Sequence, residues 1–73
     1  MDRVLIKSSE DIGKLLRDRR MALSLDQETV ASLSGVAQSN LSRIERGLTP
    51  ATLDTYLKLT RVLGIEIYGE PRR

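Results

Sequence analysis

The segment from Gly35 to Gly47 reads GVAQSNLSRIERG. Between the Val36 that follows the first glycine and the second glycine, its only large apolar residues are Leu41 and Ile44. Set on a helix at about 100° per residue, these two fall on one side. Gln38, Ser39, Ser42 and Arg43 spread over the other, which is polar, short and rich in hydrogen-bonding groups. A wetted face is common on the helices of globular proteins, so the meaning of this one depends on what surrounds it.

Working outward, Asp26 can cap a helix QETVASLS with Val30, Ala31 and Leu33 facing inward. Gly35 ends that helix, because a glycine there takes a left-handed backbone conformation that strains other residues. Val36 can then drop into the core, and a third helix runs from about Gln38 to Arg46. Upstream, SSEDIG supplies Ser8 and Ser9 as caps with acids in the first turn. Ile12, Leu15, Leu16 and Leu23 share a face of the helix that follows. Arg19 lies on the same face, and its stem is expected to cover apolar surface while its charge reaches water. Downstream, Gly47 and Pro50 bound a loop, and Thr52 caps a fourth helix with Leu53, Tyr56, Leu57, Val62 and Leu63 as its apolar set; Gly64 stops it. RVLIK at the start and IEIYG at the end read as strands, the latter alternating Ile65 and Ile67 against Glu66 and Tyr68.

Composition narrows the classes. The chain has 73 residues, enough for one small domain, with no Cys and no His. Disulfide staples and sites built on thiolate or imidazole ligands are therefore excluded. Twelve Lys and Arg against ten Asp and Glu give a net charge of +2, so a basic surface must be made by folding rather than by a polybasic tail. No apolar run approaches the ~20 residues of a membrane span, and the opening lacks the apolar centre of a secretory signal; the expected location is the cytoplasm, at the nucleoid. With no Phe or Trp and two Tyr, base-stacking platforms for single strands are poorly supplied. There is no glycine-rich phosphate loop or metal cluster, so neither an enzyme nor a cofactor is expected.

Gln27, Ala31, Gly35, Leu41, Ile44 and Glu45 form one spacing. Ala31 lets the third helix cross the second closely, Gly35 sets the turn, and Leu41 and Ile44 anchor the third helix from below. The outcome is a helix held proud of the body, of the width a DNA major groove accepts. Glu45 falls at the core edge and needs a partner, since a partly buried carboxylate without one is costly.

The stretch LSLDQETVASLSGVAQSNLSRIERG resembles the helix-turn-helix family of Cro and phage repressors, the XRE family, over Leu16 to Leu63. The resemblance implies a mainly α, four- to five-helix, lambda-repressor-like domain with its core at about residues 10–64 and a short β tail at 65–69. It also implies that Gln38, Ser39 and Arg43 face base edges. Gln27, Asn40, Ser42 and Arg46 are assigned to the DNA backbone, and Arg20 and Glu45 to a structural pair. Two departures stand out: Ala37 replaces the usual Ser or Thr cap, at a cost of about 1 kcal/mol, and Asp26 replaces Thr, adding a negative charge near the phosphates.

One module covers one half-site, so a homodimer on a palindromic double-stranded operator is expected, with Ile65 and Ile67 at its interface. A compact repressor with a β tail resembles the HipB-like antitoxins, which implies a HipA-like kinase toxin as partner and autoregulation of the operon. The alternatives are a free-standing regulator of phage or restriction-modification type, and an interaction module that keeps the fold without DNA.

Overall fold

The computed structural model describes residues 3–73; Met1 and Asp2, with which the expected single domain and the opening segment begin, lie outside the described residues. Four helices follow one another, α1 Ser9–Ala22, α2 Gln27–Ser34, α3 Gln38–Glu45 and α4 Leu53–Leu63. Three of them start on an oxygen-bearing side chain that takes a free N–H of the first turn. Ser8 Oγ accepts from Asp11 N–H at 3.1 Å, and Asp11 Oδ2 accepts from Lys7 N–H at 2.8 Å, a reciprocal cap. Asp26 Oδ1 accepts from Thr29 N–H at 2.7 Å, and Thr52 Oγ1 from Thr55 N–H at 3.2 Å.

Three helices also end alike. Ser24, Gly47 and Gly64 take φ of 57°, 69° and 68°. The next N–H donates back across the last turn in each case: Leu25 to Arg20 O at 3.1 Å, Leu48 to Arg43 O at 3.0 Å and Ile65 to Thr60 O at 2.9 Å. These six-to-one bonds satisfy carbonyls that the helices leave free.

The terminal strands expected at RVLIK and IEIYG are absent: among the described residues there is no strand. The cause at the tail is the bond just given. Ile65 is the residue after a left-handed cap, and its half-buried side chain packs against the core as the apolar contact that accompanies such caps. An apolar residue placed for that purpose, two before another at Ile67, reproduces the period of a strand without one.

α1 packs on α3 and α4, and α2 packs on the same two. Their shared core is Leu16, Val30, Val36, Leu41, Ile44, Leu59 and Leu63. On α2 the covered stripe is Gln27, Val30, Ala31 and Ser34, the i, i+3, i+4, i+7 set. Leu33 lies outside it and is 66% exposed, contrary to its expected inward position. Leu53, in the first turn of α4 and beyond the core, is equally exposed, and Leu23 caps α1 rather than entering the core. Arg19 also differs from expectation. Its Nε donates to Leu63 O at 2.9 Å, so the guanidinium closes the C-terminal end of α4, where a cation is favoured.

Close approach of α1 to the end of α3 is made possible by Gly13, which is buried. A Cβ there would meet the Ile44 carbonyl oxygen, with Glu45 O at 3.2 Å. Among the described residues no helix is long and apolar enough to cross a membrane.

Candidate nucleic-acid interface

α2 stops at Gly35, whose φ of 78° and N–H bond to Ala31 O at 2.9 Å turn the chain in a single residue. Val36 is buried directly after it, its N–H held by Ser34 Oγ at 3.2 Å. α3 then starts at Gln38 with Ala37 as its cap position and no side-chain hydrogen bond there, as the sequence departure implies.

Leu41, Ile44 and Glu45 are the buried residues of α3. Gln38, Ser39 and Arg43, the residues expected at base edges, are all exposed. Ser39, Arg43 and Arg46 occupy the middle of the exposed arc by helical geometry, with Gln38 and Ser42 on one flank and Asn40 on the other. Asn40 and Ser42 are half-buried, and the Nε of the exposed Arg46 bonds Ser42 O at 3.3 Å, leaving the end of the guanidinium outward. Together these side chains offer donors and acceptors of varied length on one short face.

What holds that face is a buried polar cluster behind it. Arg20 lies against Glu45 in a two-pronged contact, Nε to Oε2 at 2.7 Å and Nη2 to Oε1 at 2.9 Å. The Glu45 side chain is 2% exposed. Such paired bonds are among the strongest that side chains make, and they hold the Arg20 guanidinium above its ordinary pKa, chiefly through the hydrogen bond. Arg20 Nη1 also donates to Leu25 O at 2.9 Å. α1, the loop before α2 and the end of α3 are thus tied through one guanidinium.

Gln27, expected on a phosphate, has a second attachment that sequence reading missed. Its Nε2 donates to Glu45 Oε1 at 3.0 Å. The side chain stands at the start of α2 with one amide hydrogen on the carboxylate and the other free. The missed signal was the spacing itself, because Gln27 lies on the covered stripe of α2 with Val30 and Ala31. Gly13 was missed as well, although a glycine inside a helix costs about 1 kcal/mol and so points to a close approach.

Asp26 shapes the electrostatics at the edge of the face. Hydrogen bonds from Thr29, side chain first and backbone second, lower its carboxyl pKa below the ordinary value. The carboxylate therefore caps α2 fully above the ordinary carboxylate range, and the contribution is lost as pH falls through the lowered folded-state value. Asp26→Asn keeps the cap and removes the charge. It is expected to flatten the acid limb of the stability curve in thermal melts taken across pH and to tighten binding to duplex DNA slightly; a steeper acid limb would contradict the assignment.

Residues 16–69 match the family model described as helix-turn-helix. An uncharacterised HTH-type transcriptional regulator of Haemophilus influenzae is 43% identical over 60 residues, which are 82% of this chain and 61% of that protein. Another, of Sinorhizobium fredii, is 34% identical over 65 residues, covering 89% of this chain and 33% of its own length. The chain thus spans between 33% and 61% of the curated relatives named here. Among solved structures, the restriction-modification controller protein C.AhdI of Aeromonas hydrophila superposes with a TM-score of 0.75 at 41% identity, over 80% of this chain and 88% of that one. The β tail on which the likeness to HipB-like antitoxins rests is absent among the described residues, and the relatives named above are transcriptional regulators and a restriction-modification controller. Turn, supporting cluster and match agree: the chain belongs to the XRE/Cro-type helix-turn-helix family of transcriptional regulators, a DNA-binding and non-catalytic class.

Proposed function

We propose that this chain is a sequence-specific regulator that binds palindromic double-stranded operators as a homodimer in the cytoplasm and represses by occupying them. The observation that carries the reading is the α3 face. Gln38, Ser39 and Arg43 are exposed together on a helix whose back is buried through Leu41, Ile44 and Glu45. Gln can bond an adenine edge and Arg a guanine edge in the major groove, and Ser accepts either. Gln27, Asn40 and Ser42 at the edges of that face, with Arg46 at its C-terminal end, hold the sugar-phosphate chain, which sets register without choosing sequence.

A free-standing regulator of the restriction-modification type is favoured over an antitoxin of a HipA-like kinase, because the likeness to C.AhdI covers most of both chains. The reading that keeps the fold without DNA binding differs in an observable way, since it requires no salt dependence on duplex DNA.

Arg43→Ala is expected to cost about 1–3 kcal/mol on the operator and to narrow the gap to scrambled duplex. Arg46→Ala is expected to weaken both duplexes alike and flatten the salt dependence by about one phosphate contact. Titration of both variants on both duplexes distinguishes the roles. The same uniform loss from each would contradict the division between reading and holding.

A further inference from the structure

Ala37 stands where α3 begins, and its methyl has no part in the base-edge and backbone roles given above to the neighbouring side chains. The chain rises to it from Val36, which is buried, and continues into Gln38 and Ser39, which are exposed as Ala37 itself is. Its ψ of 138° sets it off from the helix, while its carbonyl accepts from Leu41 N–H at 2.9 Å and so closes the first turn. From Ala37 to Arg46 the exposed side chains are Ala37, Gln38, Ser39, Arg43 and Arg46. Four of these end in nitrogen or oxygen. Ala37 alone ends in carbon.

The major groove of unmodified DNA presents one apolar group, the C5-methyl of thymine, beside the O4 acceptor of the same base. A methyl laid against it takes apolar surface out of water on both sides. An alanine reaches no further than its Cβ, so the contact needs backbone close to the bases. The first turn of a recognition helix is where the backbone comes that close. Gln38, the next residue, carries the amide that suits adenine, and adenine pairs with thymine. Two consecutive residues thus draw on the same kind of base pair.

We infer that Ala37 is a specificity-determining residue, packing its methyl against the C5-methyl of a thymine in each half-site, beside the base that Gln38 reads. The inference rests on the proposed reading of α3 as the helix that meets the bases. An oxygen-bearing side chain here would serve the free N–H groups of the first turn, but it would set a hydrated group against the thymine methyl. Position 37 therefore gives up stability of α3 for a contact that only the bound state makes.

Uracil in place of thymine removes the methyl and leaves base pairing intact, so the contact is open to a cycle between protein and DNA. The full chain, as wild type and as Ala37→Gly, is titrated on the duplex it selects from randomised DNA and on versions with each thymine changed in turn to uracil. Wild type is expected to lose about threefold to fivefold in affinity per half-site at one thymine position. Ala37→Gly is expected to show that loss already on the unmodified duplex and to be indifferent to uracil at that position alone. Glycine is a better cap than alanine, so thermal melts of the variant are expected at or above the wild-type temperature; weaker binding by a protein at least as stable separates a base contact from a damaged helix. Replacing each cytosine by 5-methylcytosine is expected to bring no gain that depends on Ala37. Such a gain without a uracil effect would assign the contact to a modified base and overturn the thymine assignment. Wild type that binds its selected duplex with steep salt dependence but ignores uracil everywhere, or Ala37→Gly that keeps the full uracil effect, would overturn the inference and leave DNA binding by α3 standing. Wild type that binds no duplex would overturn both.

Discussion

Gly13→Ala is expected to destabilise the domain by about 3 kcal/mol or more, enough to lower the melting temperature by roughly 12–24 °C for a domain of this size. The sign is unusual. Inside an exposed helix the same exchange stabilises by up to about 1 kcal/mol, because alanine has less backbone entropy to lose. Here the added methyl meets the Ile44 carbonyl oxygen, which is backbone and already placed by α3, so the two helices must separate. Gly35→Ala supplies a graded comparison. Its φ is 78° but nothing stands within 4 Å of a Cβ there, and only about 1 kcal/mol of left-handed strain is added. Gly69→Ala meets open space and is expected to be neutral. Thermal melts that ranked the three otherwise, or a Gly13→Ala protein as stable as wild type, would contradict the packing of α1 on α3.

The second large effect lies in the cluster behind α3. Removing either Arg20 or Glu45 strands its partner in a place with little water, and losses of about 3–5 kcal/mol are expected for either single substitution to alanine. An apolar pair of similar volume, Arg20→Met with Glu45→Leu, is expected to recover much of that loss, because it removes both charges from a poorly hydrated site. Gln27 makes the cycle asymmetric. It donates to Glu45 and not to Arg20, so Arg20→Ala leaves the carboxylate one remaining side-chain donor, while Glu45→Ala frees three at once, two on Arg20 and one on Gln27. Chemical denaturation of the four proteins provides the measurement. Small additive losses would show that the pair is ordinary surface charge, at odds with a Glu45 side chain 2% exposed.

Much of this arrangement was legible in the residues, and for reasons that are local. Ser8, Asp26 and Thr52 are short oxygen-bearing side chains next to apolar periodicity, and Gly35 and Gly64 stand where a left-handed residue is needed. Caps and stops of that kind are decided within a turn of chain. Leu41 and Ile44 were legible as the anchored side of α3 because an eight-residue helix has room for one stripe. Glu45 called for a partner by its angle beside Leu41, and its pairing with Arg20 followed from the family likeness.

What escaped was set by contacts between distant parts. Arg19 reaches a carbonyl 44 positions away, and its side chain has the same composition whether it ends in water or on a helix end. Leu33 and Leu53 are apolar but stand off the stripes that Val30 and Leu59 define. Ile65 imitates a strand because the apolar contact of a helix cap and the alternate residue of a strand look alike over three positions; pairing, which alone makes a strand, needs a neighbour that the sequence does not specify. Gln27 was assigned one task by likeness and has a second in the structure.

The role of α3 is open to a direct measurement, the selection of bound duplexes from a pool of randomised DNA by the full chain, followed by titration of the recovered sequence against salt. Enrichment of an inverted repeat, with half-sites about one helical turn apart and binding that weakens steeply with salt, is the expected result. Arg43→Ala should then select a repeat with relaxed preference at one base pair of each half-site. Recovery of unrelated sequences with no common half-site, or binding indifferent to salt, would contradict the reading of the Gln38, Ser39 and Arg43 face as the part that meets the bases.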